Sequence, residues 1–407
     1  MFERASFYGL RSIFVLYLVS DFFQMDNGEA LRFYTVFTST IIASGLIGAI
    51  LGDLLIGNKN AILIGTLLNA IGAFCLFIPS IAGLYIGLFL VVLGSGLYTP
   101  NLTSSFGRLY LNKTKLLDAG FTILYFAINI GAFLGVLVIG SIGELVGWNY
   151  GFAAAGVLML LSFVPILFIE DRGFEQSEDK KIPSDKNVLD SNLVPSTFKQ
   201  PIHKNAFLKV VASVVSVGLF WVFYEFGYGR IFDLQSKFIE QSTFDIPISL
   251  WSASASSLTI VIGLMAAIYW SYIYSRSFFK LLLGFLFGTI SFGLLFLIPT
   301  VPLEQHITIY ILSLLSLGIA EIYISPIMFS VLIKYANPRY LSILVSLSII
   351  LVRLLMYVSS IVKEFFTDLY LAAFLGMSFV VVLGVGFFLY LKRTTLSDED
   401  HLKKILS

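Results

Sequence analysis

Apolar residues run in long blocks through most of this chain, and the breaks between blocks are short and polar. A helix needs about 20 apolar residues to cross the hydrocarbon core of a bilayer, and that length divides the chain into twelve spans. The first six are expected at about 3–20, 33–52, 60–80, 82–102, 119–142 and 150–169. The second six are expected at about 207–228, 247–273, 278–299, 306–332, 340–362 and 369–391. Between the sets lies the polar stretch Glu170 to Asn205, with acids, lysines, serines and Pro183, Pro195 and Pro201. Such a stretch cannot bury a core and reads as a linker. The pattern predicts an all-α polytopic membrane protein: a first bundle over 1–169, a cytoplasmic linker over 170–206, and a second bundle with a short tail over 207–407. Two packed six-helix bundles place a substrate site near the midplane between them.

Charge sets the orientation. Lysines and arginines collect on the cytoplasmic side of membrane helices. With both termini inside, nineteen of the 26 basic residues fall in inner loops or the tail, among them Lys59, Arg108, Lys113, Lys115, Lys280, Lys334 and Arg339. Four fall outside: Arg32, Arg230, Lys237 and Lys363. A cell membrane location with both termini cytoplasmic follows as the expectation. The chain is 57% hydrophobic and 13% charged with a net charge of +1, so no basic face is available for nucleic acid. Cys75 is the single cysteine, which excludes an internal disulfide and a cysteine metal cluster. His203, His306 and His401 fall in polar connections, so neither a metal nor a cofactor is expected. No cleavable signal is visible, because the first apolar run is long and interrupted at its start by Arg4 and Arg11. An intramembrane enzyme is disfavoured by the absence of a close acid dyad or a ligand cluster in the spans.

The informative residues are the charges inside the spans. Arg4, Arg11, Glu225, Glu321 and Arg353 interrupt apolar runs, with Glu3 in the first turn. Such groups are costly in lipid and persist where they face a wet cavity or one another. Arg4 and Arg11 are seven apart and share one helix face. An arginine fork suits a carboxylate, and Glu225 and Glu321 suit an ammonium group, so a zwitterion would meet both signs. A carboxyl that alternates between an apolar pocket and a cation also alternates in proton affinity. The structural alternatives are a Glu3–Arg4 pair that only positions the helix, and a static pair of Glu225 with Arg353. Asn129, mid-span, either contacts ligand or joins helices by its amide. Trp221 and Tyr8 are candidate pocket walls, against the commoner role of aromatics as packing. Ser325-Pro326 either breaks its helix beside Glu321, freeing carbonyls, or only bends it.

Several motifs carry a family likeness. Gly48–Lys59, with Asp53 placed to cap or pair at the next helix start, resembles the loop motif of the major facilitator superfamily. Asp118-Ala119-Gly120-Phe121-Thr122-Ile123-Leu124-Tyr125-Phe126-Ala127-Ile128-Asn129-Ile130-Gly131-Ala132-Phe133 resembles the fifth-helix signature of the proton-dependent oligopeptide transporter family. Gly147–Phe152, Phe220-Trp221 with Glu225, and Glu321–Pro326 are similar to that family as well. Glu3-Arg4-Ala5-Ser6-Phe7-Tyr8-Gly9-Leu10-Arg11 resembles the latter part of its glutamate–arginine–tyrosine motif.

The resemblance implies proton-coupled uptake of di- and tripeptides by alternating access. It implies substrate contacts at Arg4, Tyr8, Arg11, Asn129, Trp221 and Glu321, and proton coupling at Glu3, Glu225 and Glu321. Peptide, protons and the lipid bilayer are the implied partners, and a monomer is expected. The departures sit at the same positions. Thr99 stands where the family has a fourth-helix lysine, and the motif's first glutamate would precede Met1. Either the reading frame starts earlier or a coupling acid is gone together with its basic partner. Phe226, Ser252, Ala255, Ser346 and Ser348 also depart from the pattern, Arg353 is added, and the helix pair that many bacterial members insert between the bundles is missing. Two alternatives therefore stand beside symport: an uncoupled facilitator or exchanger, and a non-transporting sensor or degenerate member.

Overall fold

The structure is a computed structural model and describes residues 1–168, 204–241, 262–272 and 277–386. Most of the expected linker, His203, Ser252, Ala255, His401 and the C-terminal tail lie outside the described residues. Twelve α-helices are found among the described residues, one at each expected span, the eighth described only over its last part. The first six are α1 (Phe2–Val19), α2 (Asn27–Leu51), α3 (Asn58–Phe77), α4 (Ile81–Arg108), α5 (Leu117–Leu145) and α6 (Trp148–Leu167). The second six are α7 (Lys204–Gln241), α8 (Ile262–Tyr272), α9 (Ser277–Leu295), α10 (Ile307–Tyr335), α11 (Leu341–Val362) and α12 (Leu369–Gly386). Ten of the helical stretches are long and apolar enough to cross a membrane. The two outside that group are α1, which carries Glu3, Arg4 and Arg11, and α8, whose described part is short.

Local chemistry explains several boundaries. The Asp26 carboxylate accepts from the Gly28 N–H at 2.9 Å and the Ser80 hydroxyl from the Gly83 N–H at 2.9 Å, opening α2 and α4. Gly57, at φ 79°, makes the reversal into α3 that a residue with a Cβ would resist.

The chain forms two compact units. One comprises Met1–Val214 with Met328–Ile350, the other Val215–Ile327 with Leu351–Ser407. Residues 328–350 were expected with the second bundle, yet their contacts assign them to the first unit. Polar contacts give the reason. The Asp53 carboxylate accepts from the Ile343 N–H at 3.0 Å in the first turn of α11, where unpaired N–H groups and the helix dipole favour an anion. It also accepts from the Asn58 amide at 3.0 Å and pairs with Arg108 at 3.2 Å. Arg108 donates to the Pro338 carbonyl at 2.9 Å, and the Asn58 amide reaches the Ser342 hydroxyl at 2.7 Å. The Ser330 hydroxyl meets the Asp118 carboxylate. Asp53 thus pairs at the start of α3, as its position predicts, and at the start of α11 as well.

In the first unit α3 packs along α4 and α6, and α1 lies against α5 and α6. Its core joins Phe14, Tyr17, Phe37, Phe152 and Leu88. Gly131 brings α1 close: a Cβ there would stand 2.6 Å from the Met1 carbonyl oxygen and 2.9 Å from the Arg4 Cβ. In the second unit Phe220 is fully buried and packs edge-on to Phe285. At one end of α7, Arg230 donates to the Ile298 carbonyl at 2.9 Å and Lys237 to that of Thr300 at 2.9 Å, covering carbonyls just past α9. Many large apolar side chains stay exposed along the helices, Leu145 at 85% and Tyr272 at 86% among them. Lipid is the solvent that makes such a surface stable.

One expectation changes, and one of two open alternatives drops out. Lys280, placed by its sequence in an inner loop, is 1% exposed in the first turns of α9, with its ammonium 4.4 Å from the Trp270 ring centroid. The cation–π contact gives its charge a partner that a hydrophobicity profile does not reveal. And α10 runs unbroken through Pro326. The proline removes one ladder hydrogen bond, to the Ile322 carbonyl, without ending the helix.

Candidate functional site

The first unit concentrates its intramembrane charge on one face of α1. Positions 4, 7, 8 and 11 fall on that face because they are separated by three, four and seven residues. Arg4 grips Glu3 through both oxygens, Nε to Oε2 at 2.5 Å and Nη2 to Oε1 at 2.6 Å. Glu3 is 1% exposed. The same Nη2 donates to the Thr99 hydroxyl at 2.9 Å, across to α4. Thr99, at the position where a lysine was expected, thus serves as a neutral acceptor for Arg4.

Arg11 is held differently. Its Nε and Nη2 both donate to the Tyr34 hydroxyl, at 2.9 and 2.5 Å. Its guanidinium carbon lies 5.4 Å from the centroids of both the Phe7 and Tyr34 rings. Phe7 also lies under Arg4, at 5.1 Å, so one ring serves both cations. Tyr8 packs edge-on against Phe7 with centroids 5.5 Å apart. No carboxylate among the described residues pairs with Arg11, which stays half-buried.

Asn129 is half-buried on α5, and its amide donates to the Tyr125 carbonyl of its own helix at 2.9 Å. That bond satisfies one donor and leaves the amide oxygen without a partner among the described residues.

The second unit holds Trp221, Glu225, Glu321 and Arg353. Trp221 packs against Tyr224 at 5.1 Å, and Tyr224 stacks on Tyr228 at 5.8 Å. Glu225 is exposed beside this aromatic ladder. Arg353 is exposed too, and its contact is with the Met356 sulfur at 3.7 Å. Among the described residues Glu225 and Arg353 form no ion pair, so the static pair weighed above is not found. Glu321 is half-buried on α10. One turn on, the Ser325 hydroxyl is buried without a hydrogen-bond partner among the described residues.

Sequence reasoning put Arg4 and Arg11 on one helix face, and in the structure both lie beside the Phe7 ring on that face, with Glu3 paired to Arg4. It passed over Phe7, Tyr34 and the role of Thr99. Phe7 stood only as one member of the first-helix motif, and Tyr34 is one of 20 tyrosines in a chain rich in aromatics. Spacing along α1 cannot find a partner on α2.

Comparison with known proteins gives this arrangement its class. Residues 1–361 match the family model of the Major Facilitator Superfamily, and the chain belongs to that superfamily, a family of multi-pass membrane transporters and not of enzymes. Within it, the similarities are to oligopeptide transporters. A di-/tripeptide transporter of Lactococcus lactis subsp. lactis (strain IL1403) is 28% identical over 204 residues, 48% of this chain and 41% of that protein. An uncharacterized transporter, YclF of Bacillus subtilis (strain 168), is 34% identical over 167 residues, 40% of this chain and 34% of that one. The matched stretches thus span less than half of these relatives. A crystal structure of a POT family transporter in complex with a thioalcohol-conjugated peptide superposes with a TM-score of 0.65 over 96% of this chain and 94% of that one, at 19% identity. At that identity the likeness establishes the fold.

Proposed function

We propose that this chain carries short peptides, di- and tripeptides, across the plasma membrane by proton-coupled alternating access. The observation that carries the reading is the Arg11 guanidinium, a half-buried cation on α1 held, among the described residues, by neutral groups. A full positive charge kept there at a cost of several kcal/mol is suited to a carboxylate that arrives with the substrate. Glu321 is the acid assigned to the peptide ammonium. Asn129, whose amide oxygen has no partner among the described residues, and the aromatic side chains Tyr8 and Trp221 complete the contacts in this reading. The peptide transport of the Lactococcus relative supports the same substrate class. Both termini are cytoplasmic in this reading, following the basic loops, and the working unit is a monomer.

Proton coupling is assigned to Glu3, Glu225 and Glu321. Uptake of a labelled dipeptide into proteoliposomes, with and without an imposed pH gradient, tests it. Symport predicts accumulation only with the gradient acid outside, and equal uptake in both conditions rejects it. Glu321→Gln is expected to lose concentrative uptake while sparing counterflow, and a retained pH dependence in that variant removes Glu321 from proton handling.

A facilitator or exchanger without proton coupling is the second reading, and one observation favours it. Glu3 is buried and held through both oxygens by Arg4, with Thr99 in place of a charged partner. A carboxylate so held gives up its ion pair only at considerable cost. The gradient experiment separates the two readings.

A further inference from the structure

A guanidinium presents two edges on which a carboxylate can form paired hydrogen bonds: the side edge, Nε with Nη2, and the end edge, Nη1 with Nη2. The two arginines of α1 use these edges differently. On Arg4 the side edge grips Glu3, and Nη2 donates again to Thr99, so the end edge has lost one of its two members as well. On Arg11 the side edge converges on a single acceptor, the Tyr34 hydroxyl. The end edge of Arg11 meets no acceptor among the described residues. We infer that Tyr34 is the positioning residue of the substrate site: by holding the side edge of Arg11 it turns the end edge toward the carboxylate of an incoming ligand.

Three features make the arrangement suited to this task. The acceptor is neutral, so it fixes the fork without cancelling the charge that attracts an anion. One oxygen receiving two convergent N–H groups fixes the plane of the guanidinium, which a single bond leaves free to rotate. The Phe7 and Tyr34 rings lie within cation–π range, so the charge is stabilised from its faces while the end edge stays open. Tyr34 is itself anchored, its ring 6.4 Å from that of the fully buried Phe14. Pre-ordering of this kind raises affinity by lowering the cost of fixing the fork when the ligand binds.

The inference rests on the peptide reading above, and one experiment tells the two apart. Tyr34→Phe keeps the ring and deletes the acceptor. Titration of the purified protein with dialanine and with its C-terminal amide, by calorimetry, reads the carboxylate contact without requiring transport. The wild type is expected to bind dialanine more tightly than the amide. Tyr34→Phe is expected to weaken dialanine binding by about tenfold, in line with loss of a hydrogen bond to a charged group, and to leave the weaker binding of the amide unchanged. In an Arg11→Gln background the same substitution is expected to have no further effect. Equal weakening of both ligands, or the same loss in the Arg11→Gln background, marks Tyr34 as a packing residue and overturns the inference. Unchanged dialanine binding in a folded Tyr34→Phe protein overturns it too, while the peptide reading stands. No dialanine binding by the wild type overturns both.

Discussion

Arg4 and Arg11 stand on one helix face, two turns apart, over the same phenylalanine, yet they are different chemical objects. Arg4 is closed: a buried carboxylate takes its side edge and a threonine takes part of its end edge. Arg11 is open: a tyrosine hydroxyl and two aromatic rings are its whole environment among the described residues. An ion pair inside a membrane protein neutralises two charges that would each be expensive alone, and its natural role is to hold helices in place. A cation without a counterion remains available to one that comes and goes. The difference teaches that intramembrane charge does not by itself mark a binding residue; the partner already present decides.

That contrast can be broken at either arginine. Arg11→Ala should lower dipeptide uptake by about a hundredfold, about 3 kcal/mol, as when one member of a desolvated charge pair is truncated, while the protein still reaches the membrane. Uptake at the wild-type level would remove Arg11 from the site. Glu3→Gln should cost about 2 kcal/mol of stability, because it leaves the Arg4 charge without its counterion, and should also remove the proton handling assigned to Glu3. The double variant Glu3→Gln with Arg4→Gln should recover part of that loss in a thermal melt, and a double variant no more stable than the single one would show that the pair does not act as a unit. Thr99→Val should be the mildest, about 1 kcal/mol for one lost hydrogen bond. A larger loss of uptake than of stability in that variant would mean that Arg4 moves during transport, narrowing the contrast with Arg11.

Much of the fold was legible because lipid imposes a simple rule on the chain. Apolar blocks of crossing length became helices throughout the described residues, ten of them long and apolar enough to cross a membrane, and glycines at positions such as Gly131 let them approach. The arginine face of α1 was equally legible, since helical spacing alone assembles it. Partners on other helices were not. Nothing in the spacing of α1 points to Thr99 on α4 or Tyr34 on α2, and a hydroxyl in an apolar run resembles any other. Lys280 was hidden for the same reason: the ring under its ammonium, Trp270, stands on another helix. The attachment of 328–350 to the first unit was also unreadable, because Asp53 and Arg108 meet the chain around the start of α11 at positions 290 and 230 residues further along.

The account turns on Arg11 being the group that receives a substrate carboxylate. Competition of dialanine and its C-terminal amide against labelled dipeptide uptake, in the wild type and in Arg11→Gln, tests this most directly. The account predicts that the wild type favours the free carboxylate by at least about tenfold and that Arg11→Gln erases the preference. A preference of the same size in both proteins would contradict it.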